Sequence, residues 1–256
     1  MTSHKVVSSQ QWLDARRELL LKEKEFSRLR DELSQMQRDL PWEKVEKNYT
    51  FDGPRGKVTL AELFEGKSQL IVYHFMFAAD WDEGCKSCSF IADHYNPSIV
   101  HLQNRDVSMV TVSKAPIAKL EAFKKRMGWT FNWVSSCDND FNLDYKVTFS
   151  QEDLDRGETY YNYKLQAAFP ASEGPGLSVF FKDDDGQIYH TYSTFSRGLD
   201  VFLGAYHLLD VVPKGRDEKG LVYAMEWVRH HDKYGDKGFV DPYVKVLIAR
   251  NSKNEN

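Results

Sequence analysis

The chain is poor in cysteine, with three in 256 residues: Cys85, Cys88 and Cys137. So low and odd a count excludes the disulfide framework of small secreted domains and fits a reducing compartment. Long apolar runs are missing too. No segment approaches the roughly 18 consecutive apolar residues of a membrane span, and Met1-Thr2-Ser3-His4-Lys5 leads into charged sequence rather than the apolar core of a signal peptide. The expectation is a cytoplasmic protein that enters no membrane. Positive charge is in no surplus: 34 Lys and Arg against 38 Asp and Glu leave a formal net charge of −4. That excludes the basic excess of a nucleic-acid binder, and residues 119–126, the most basic stretch, read as a solvated helix face. Internal repeats and low-complexity tracts are absent. What is present is 41% hydrophobic and 14% aromatic residues, enough for one large core with an appendage and no disulfide staples.

Three regions follow along the chain. Residues 1–48 form an amphipathic helix with a linker. Trp12, Leu19, Phe26, Leu33 and Leu40 recur every seven residues over 9–40, Ser8 and Gln11 are spaced for a capping box, and Pro41 stops the helix. Such a stripe must be covered, either by its own domain or by a second subunit in a homodimer. Residues 49–215 form an α/β domain. Its strands are expected at 70–77, 107–112, 132–135, 177–181 and 187–192, with helices at 87–101, 117–127 and 199–209. Residues 70–77 are apolar without a break, as a central strand buried on both faces should be. Asp183-Asp184-Asp185-Gly186 makes a hairpin of the last two strands, and the polar, tyrosine-rich residues 138–172 read as an insertion before it. Residues 216–256 are a C-terminal extension with helical spacing at 225–231. Strand alternating with helix, then a hairpin, implies a central mixed sheet flanked by helices, on a thioredoxin-like plan.

Cys85-Lys86-Ser87-Cys88 follows the central strand and opens a helix. There the first sulfur meets unsatisfied N–H groups at the positive end of the helix dipole, which favours the thiolate. The second cysteine, one turn on, can attack a mixed disulfide and release the substrate. Gly84 lets the backbone enter the helix unobstructed, and Lys86 adds positive charge. Cys85 is then the nucleophile and Cys88 the resolving thiol of a dithiol–disulfide oxidoreductase acting on a thiol or disulfide substrate, protein or small molecule, without a cofactor. Asp82 and Glu83 oppose this by like-charge repulsion. Two other readings stay open. One is a metal-binding or delivery module in which Cys85, Cys88 and His94 are joined by His74 or His101. The other is a redox-inert interaction scaffold. Cys137, far downstream and alone, reads as a small packed residue.

Tyr73-His74-Phe75-Met76-Phe77, Asp80-Trp81-Asp82-Glu83-Gly84-Cys85, Ser87-Cys88-Ser89-Phe90 and Ala92-Asp93-His94 together resemble the signature of a bacterial thioredoxin-like family. That family is catalogued as a domain of unknown function and described as predicted dithiol–disulfide oxidoreductases. The likeness extends to Trp12, Ala15, Arg16, Leu20, Glu23 and Lys24, to Leu40-Pro41-Trp42 and to Gly174-Pro175-Gly176. It implies a thioredoxin fold and a redox pair. By analogy with thioredoxins, His74 replaces a buried acid in the strand before the motif, to relay the proton of Cys88. Trp81 stands near the nucleophile to meet substrate. Pro175, before the next strand, takes a cis peptide bond and faces the sulfurs. The chain departs from thioredoxins in the three residues between Trp81 and Cys85 and in Lys86-Ser87 between the cysteines. The peroxiredoxin Pro-x-x-x-Thr-x-x-Cys pattern is absent.

Overall fold

The computed structural model describes residues 4–167, 170–236, 238, 239, 241, 244 and 247. The chain divides into two compact units between Trp42 and Glu43. The first is one helix, α1 (Ser9–Arg38), opened by the capping box: the Ser8 side chain accepts from the Gln11 N–H, and Gln11 accepts from the Ser8 N–H. It stops two residues before the expected end, at an Asp39 C-cap just ahead of Pro41. No residue of α1 is buried, and Trp12, Leu19, Phe26, Leu33 and Met36 are all exposed.

The second unit runs through β1 (Glu43–Lys44), β2 (Thr50–Gly53), β3 (Gly56–Thr59), β4 (Gln69–His74), α2 (Lys86–Tyr95), α3 (Ile99–Gln103) and β5 (Val107–Ser113). It continues with α4 (Ile117–Met127), β6 (Asn132–Ser135), α5 (Phe141–Asp144), α6 (Gln151–Arg156), β7 (Glu158–Tyr161) and β8 (Lys164–Ala167). It closes with β9 (Gly176–Lys182), β10 (Ile188–Phe195) and α7 (Gly204–Leu209). Eight strands form one sheet in the order β1-β10-β9-β4-β5-β6-β2-β3, and β7 with β8 makes a separate ribbon. β4, β5 and β6 are parallel; β9 runs antiparallel to β4, and β10 antiparallel to β9. Parallel strands need crossovers, which α2 with α3 and then α4 provide, whereas β9 and β10 are joined by the Asp183–Gly186 turn. This central mixed sheet flanked by helices is a thioredoxin-like fold.

Strand periodicity places the two cores. Along β4, Ile71 and Tyr73 face one side, with Cys85, Cys88, Phe123 and Trp133, while Leu70 and Val72 face the other, with Val110, Val134, Phe141 and Phe180. Each such fully buried side chain contributes about 1.5–3 kcal/mol, so a one-residue slip of β4 would exchange the two sets.

Three expected helices are not continuous, the first, 87–101, being broken by a 3₁₀ turn at Asn96–Ser98 that holds Pro97. Residues 196–202 are a 3₁₀ turn, and Leu203 (φ −101°, ψ 88°) separates them from α7; Gly198 and Gly204 both weaken a helix there. In place of the helix expected at 225–231, residues 224–227 form a turn, with the Val228 N–H bonded to Met225 O at 3.1 Å, and His231 opens a 3₁₀ turn; the Met225 and Glu226 carbonyls also accept from the Lys86 ammonium. Residues 138–172 add a small cluster of their own, in which Phe149 and Tyr161 pack with Val147 and Phe195.

Candidate redox site

The backbone beyond β4 stays beside β5, with the Phe75 N–H bonded to Val112 O and the Ala115 N–H to Phe77 O. It then loops back, and the Cys85 N–H donates to Met76 O at 3.0 Å. Cys85 is the N-cap of α2 and Cys88 lies in its first turn. Gly84 has no room for a side chain: a Cβ would stand 2.6 Å from the Phe75 ring. Both cysteines are free thiols, Cys85 only 7% exposed and Cys88 only 1%.

The two sulfurs are driven apart in acidity. A hydrogen bond from the Cys88 thiol, outweighing burial and helped by the N–H groups of Cys88 and Ser87 and the Lys86 charge, holds Cys85 down to about 7. Burial raises Cys88, and the neighbouring Cys85 raises it further. Of the two opposing carboxylates, Glu83 is held by Lys233 at 2.7 Å and by Arg126.

Lys86 is the least expected part of the site. Its side chain is 4% exposed, and its ammonium pairs with Asp241, itself 3% exposed, at 2.7 Å. It also donates to Met225 O at 2.9 Å and Glu226 O at 2.8 Å, and lies over the Tyr223 ring. The Tyr223 hydroxyl in turn donates to Asp241. His230 donates from Nε2 to Gly84 O at 2.8 Å, fixing its tautomer. The C-terminal residues thus strap the motif down. The sequence carries no signal for this strap: only the fold shows that Lys86 is buried, where its charge demands a partner.

Two cavities meet at the cysteines. One, of about 400 Å³, is lined by both sulfurs and by Met76, Pro175, Leu199 and Met225. The other, of about 700 Å³, takes in Cys85, Lys86, Trp81, Ser172, His230 and Asp241. Trp81 and Pro175 therefore each share a cavity with Cys85, on different sides. The expected cis bond at Pro175 is corrected: no peptide bond among the described residues is cis. The Phe149 N–H donates to Ser172 O at 2.9 Å and the Gly174 N–H to Val147 O at 2.7 Å. This extended pairing leads through Pro175 into β9. The Tyr161 hydroxyl, donating to Pro175 O at 2.6 Å, fixes it further. Beside it, burial pushes the Glu173 carboxyl up to about 8, and the Thr148 hydroxyl donates to it.

His74 is buried as expected, yet it does not join the sulfurs. Strand alternation turns it away from the face Tyr73 shares with Cys88. It bonds Asn142 at 3.0 Å and Ser178 at 2.9 Å and stacks on Phe141 and Tyr145. Its expected place beside Cys88 is corrected on that ground. Burial lowers its pKa to about 4, so the imidazole is neutral at neutral pH. In the unfolded chain it takes a proton near 6.5, so its contribution to stability is complete above that pH and is lost as pH falls toward 4, by up to about 3 kcal/mol. Unfolding in urea should therefore show wild type losing about that much more than His74→Asn between pH 7 and pH 4. The pH profile of disulfide reduction should be the same for both; a changed profile would restore His74 to the proton path.

Tyr73 occupies the place expected for His74. It is fully buried in the cluster that holds both cysteines, and its hydroxyl has no hydrogen-bond partner among the described residues. His94, a candidate metal ligand, is committed elsewhere: the Ala205 N–H donates to Nε2 at 2.9 Å, leaving Nδ1–H to donate to Phe90 O at 2.6 Å. Among the described residues, no group of three His, Cys, Asp or Glu side chains is placed to hold a metal ion. Cys137 follows β6, half-buried, its carbonyl accepting from Lys114. No described helix is long and apolar enough to cross a membrane.

A thioredoxin-like fold carrying a Cys-x-x-Cys pair at a helix N-terminus defines the class of this protein. The model of a bacterial protein family of unknown function, DUF899, matches residues 1–234, and the chain belongs to that family. No curated protein matches the chain. Among solved structures it is similar to peroxidoxin BcpB from Mycobacterium tuberculosis, at 15% identity and a TM-score of 0.43, over 64% of this chain and 94% of that one. It is also similar to peroxiredoxin Q from Xanthomonas campestris, at 14% identity and a TM-score of 0.44, over 65% and 96%. A hypothetical protein from Sinorhizobium meliloti is similar at 12% identity and a TM-score of 0.37, over 59% and 70%.

Proposed function

We propose that the protein is a dithiol–disulfide oxidoreductase of a reducing compartment, with Cys85 as nucleophile and Cys88 as resolving thiol. The observation that carries this reading is the placement of two free thiols, Cys85 as the N-cap of α2 and Cys88 in its first turn, both lining one cavity, an arrangement that lowers Cys85 and raises Cys88. At neutral pH Cys85 is then thiolate to a greater extent than an ordinary cysteine. The Cys85 thiolate attacks one sulfur of a substrate disulfide, and the other sulfur leaves as a thiolate. Cys88 then loses its proton and attacks the Cys85 sulfur of the mixed disulfide, expelling the second substrate thiolate. Two electrons pass from the pair to the substrate, and an external thiol restores the dithiol. Tyr73, buried in the same core cluster as both sulfurs, packs on their side of β4 and is a positioning residue.

The test is trapping. Cys88→Ser treated with an uncharged aromatic disulfide such as 2,2′-dipyridyl disulfide should keep one thiopyridyl group on Cys85. Wild type should release two equivalents and finish as the Cys85–Cys88 disulfide. Label stable on wild-type Cys85, or on Cys137 in the variant, would defeat the reading.

A further inference from the structure

We propose that the substrate is a small apolar disulfide, bound in the cavity of about 400 Å³ that both sulfurs line. This rests on the dithiol reading and narrows it.

Access is the first ground. Cys85 and Cys88 are 7% and 1% exposed, and the strap that covers them is anchored by the Lys86–Asp241 pair and by the His230 bond to Gly84. A disulfide on a folded protein is framed by backbone on both sides and cannot reach Cys85 beneath that strap. The cavity, by contrast, falls within the roughly 300–1,000 Å³ of small-molecule sites.

The second ground is the chemistry of the wall. Met76, Ile91, Pro175, Leu199, Met225 and Leu247 line it. Its two charged residues, Arg197 and Asp200, pair with each other at 3.0 Å, and the Arg197 side chain is 79% exposed. Arg216 also reaches Asp200, at 3.5 Å. No unpaired charge is left there to receive the carboxylates or amine of a peptidic disulfide, and burying those groups unpaired would cost several kcal/mol.

The third ground is the leaving group. A thiolate, with a free pKa near 8.5, departs without assistance, whereas the hydroxide or alkoxide from a hydroperoxide needs a proton donor. The two phenols on the wall are committed, Tyr206 donating to Glu218 at 3.1 Å and Tyr223 to Asp241. The balanced reaction turns one apolar disulfide and the Cys85–Cys88 dithiol into two apolar thiols and the Cys85–Cys88 disulfide.

The experiment uses the reduced full chain. Disulfide formation is followed by quenched alkylation and mass measurement with diethyl disulfide, glutathione disulfide, insulin and tert-butyl hydroperoxide. Each rate is normalised to the same compound's reaction with free dithiothreitol. Diethyl disulfide should exceed each of the others by at least about 100-fold, the discrimination a shaped pocket can reach. Ala224→Trp, at an exposed position on the cavity wall, should slow diethyl disulfide about tenfold or more by filling the site. It should leave the reduction potential of the pair unchanged. A peptidic disulfide, insulin or the hydroperoxide reacting as fast, or Ala224→Trp without effect, would overturn the substrate assignment while the dithiol reading stands. Failure of every oxidant, including oxidised dithiothreitol, to join Cys85 to Cys88 would overturn both.

Discussion

Asp241→Ala should destabilise the protein by about 3–5 kcal/mol, the cost of stripping one partner from a buried ion pair. Two ions were taken out of water to make this contact, and each side chain is at most 4% exposed. Without the carboxylate, the Lys86 ammonium keeps two backbone carbonyls and two ring faces, which satisfy its geometry but do not balance its charge. The Tyr223 hydroxyl loses its acceptor at the same time. Lys86→Met should cost a similar amount by isolating Asp241. It should also raise the pKa of Cys85, because Lys86 is one of the groups that favour its thiolate. The double variant Lys86→Met with Asp241→Ala removes both charges, and should recover most of the loss. Urea unfolding of the four proteins, read by tryptophan fluorescence, completes the cycle. Single variants each costing under about 1 kcal/mol, the range of an exposed pair, would show that the strap does not hold Lys86 in solution.

Much of the fold was legible because its signals are local. The unbroken apolar run before Cys85, the Gly128 stop after α4 and the Asp183–Gly186 turn each act within a few residues, and β4, α4 and the last hairpin sit where those signals place them. The Ser8–Gln11 box is likewise a contact between near neighbours. What the sequence concealed depends on chain far away. Lys86 reads as an exposed charge beside a nucleophile, and its real partners lie about 140 residues downstream. His74 and Tyr73 are adjacent, so choosing which of them faces the sulfurs required the absolute phase of the strand; its period alone leaves both open. Pro175 illustrates the limit of analogy. The spacing around it matched, but the pairing of residues 172–174 with 147–149, which sets the backbone, comes from a segment read as an insertion. Repulsion at the motif is a question of distant partners as well. Asp82 and Glu83 read as opposing the thiolate, but Arg126 and Lys233, far along the chain, hold Glu83.

The central claim is that Cys85 alone among the three cysteines is an activated nucleophile, and its alkylation rate as a function of pH tests this most directly. The reduced chain is pulsed with iodoacetamide from pH 5 to pH 10, quenched, and mapped by peptide mass. Cys85 should label first, with a rate that rises through a midpoint of about 7 and exceeds that of Cys137 at neutral pH by about tenfold or more. Cys88, buried and raised, should stay unlabelled until the protein unfolds. Cys88→Ala should shift the Cys85 midpoint upward, since the Cys88 thiol makes the largest contribution to lowering it. Preferential labelling of Cys137, or a Cys85 midpoint at the free-cysteine value near 8.5, would contradict the account.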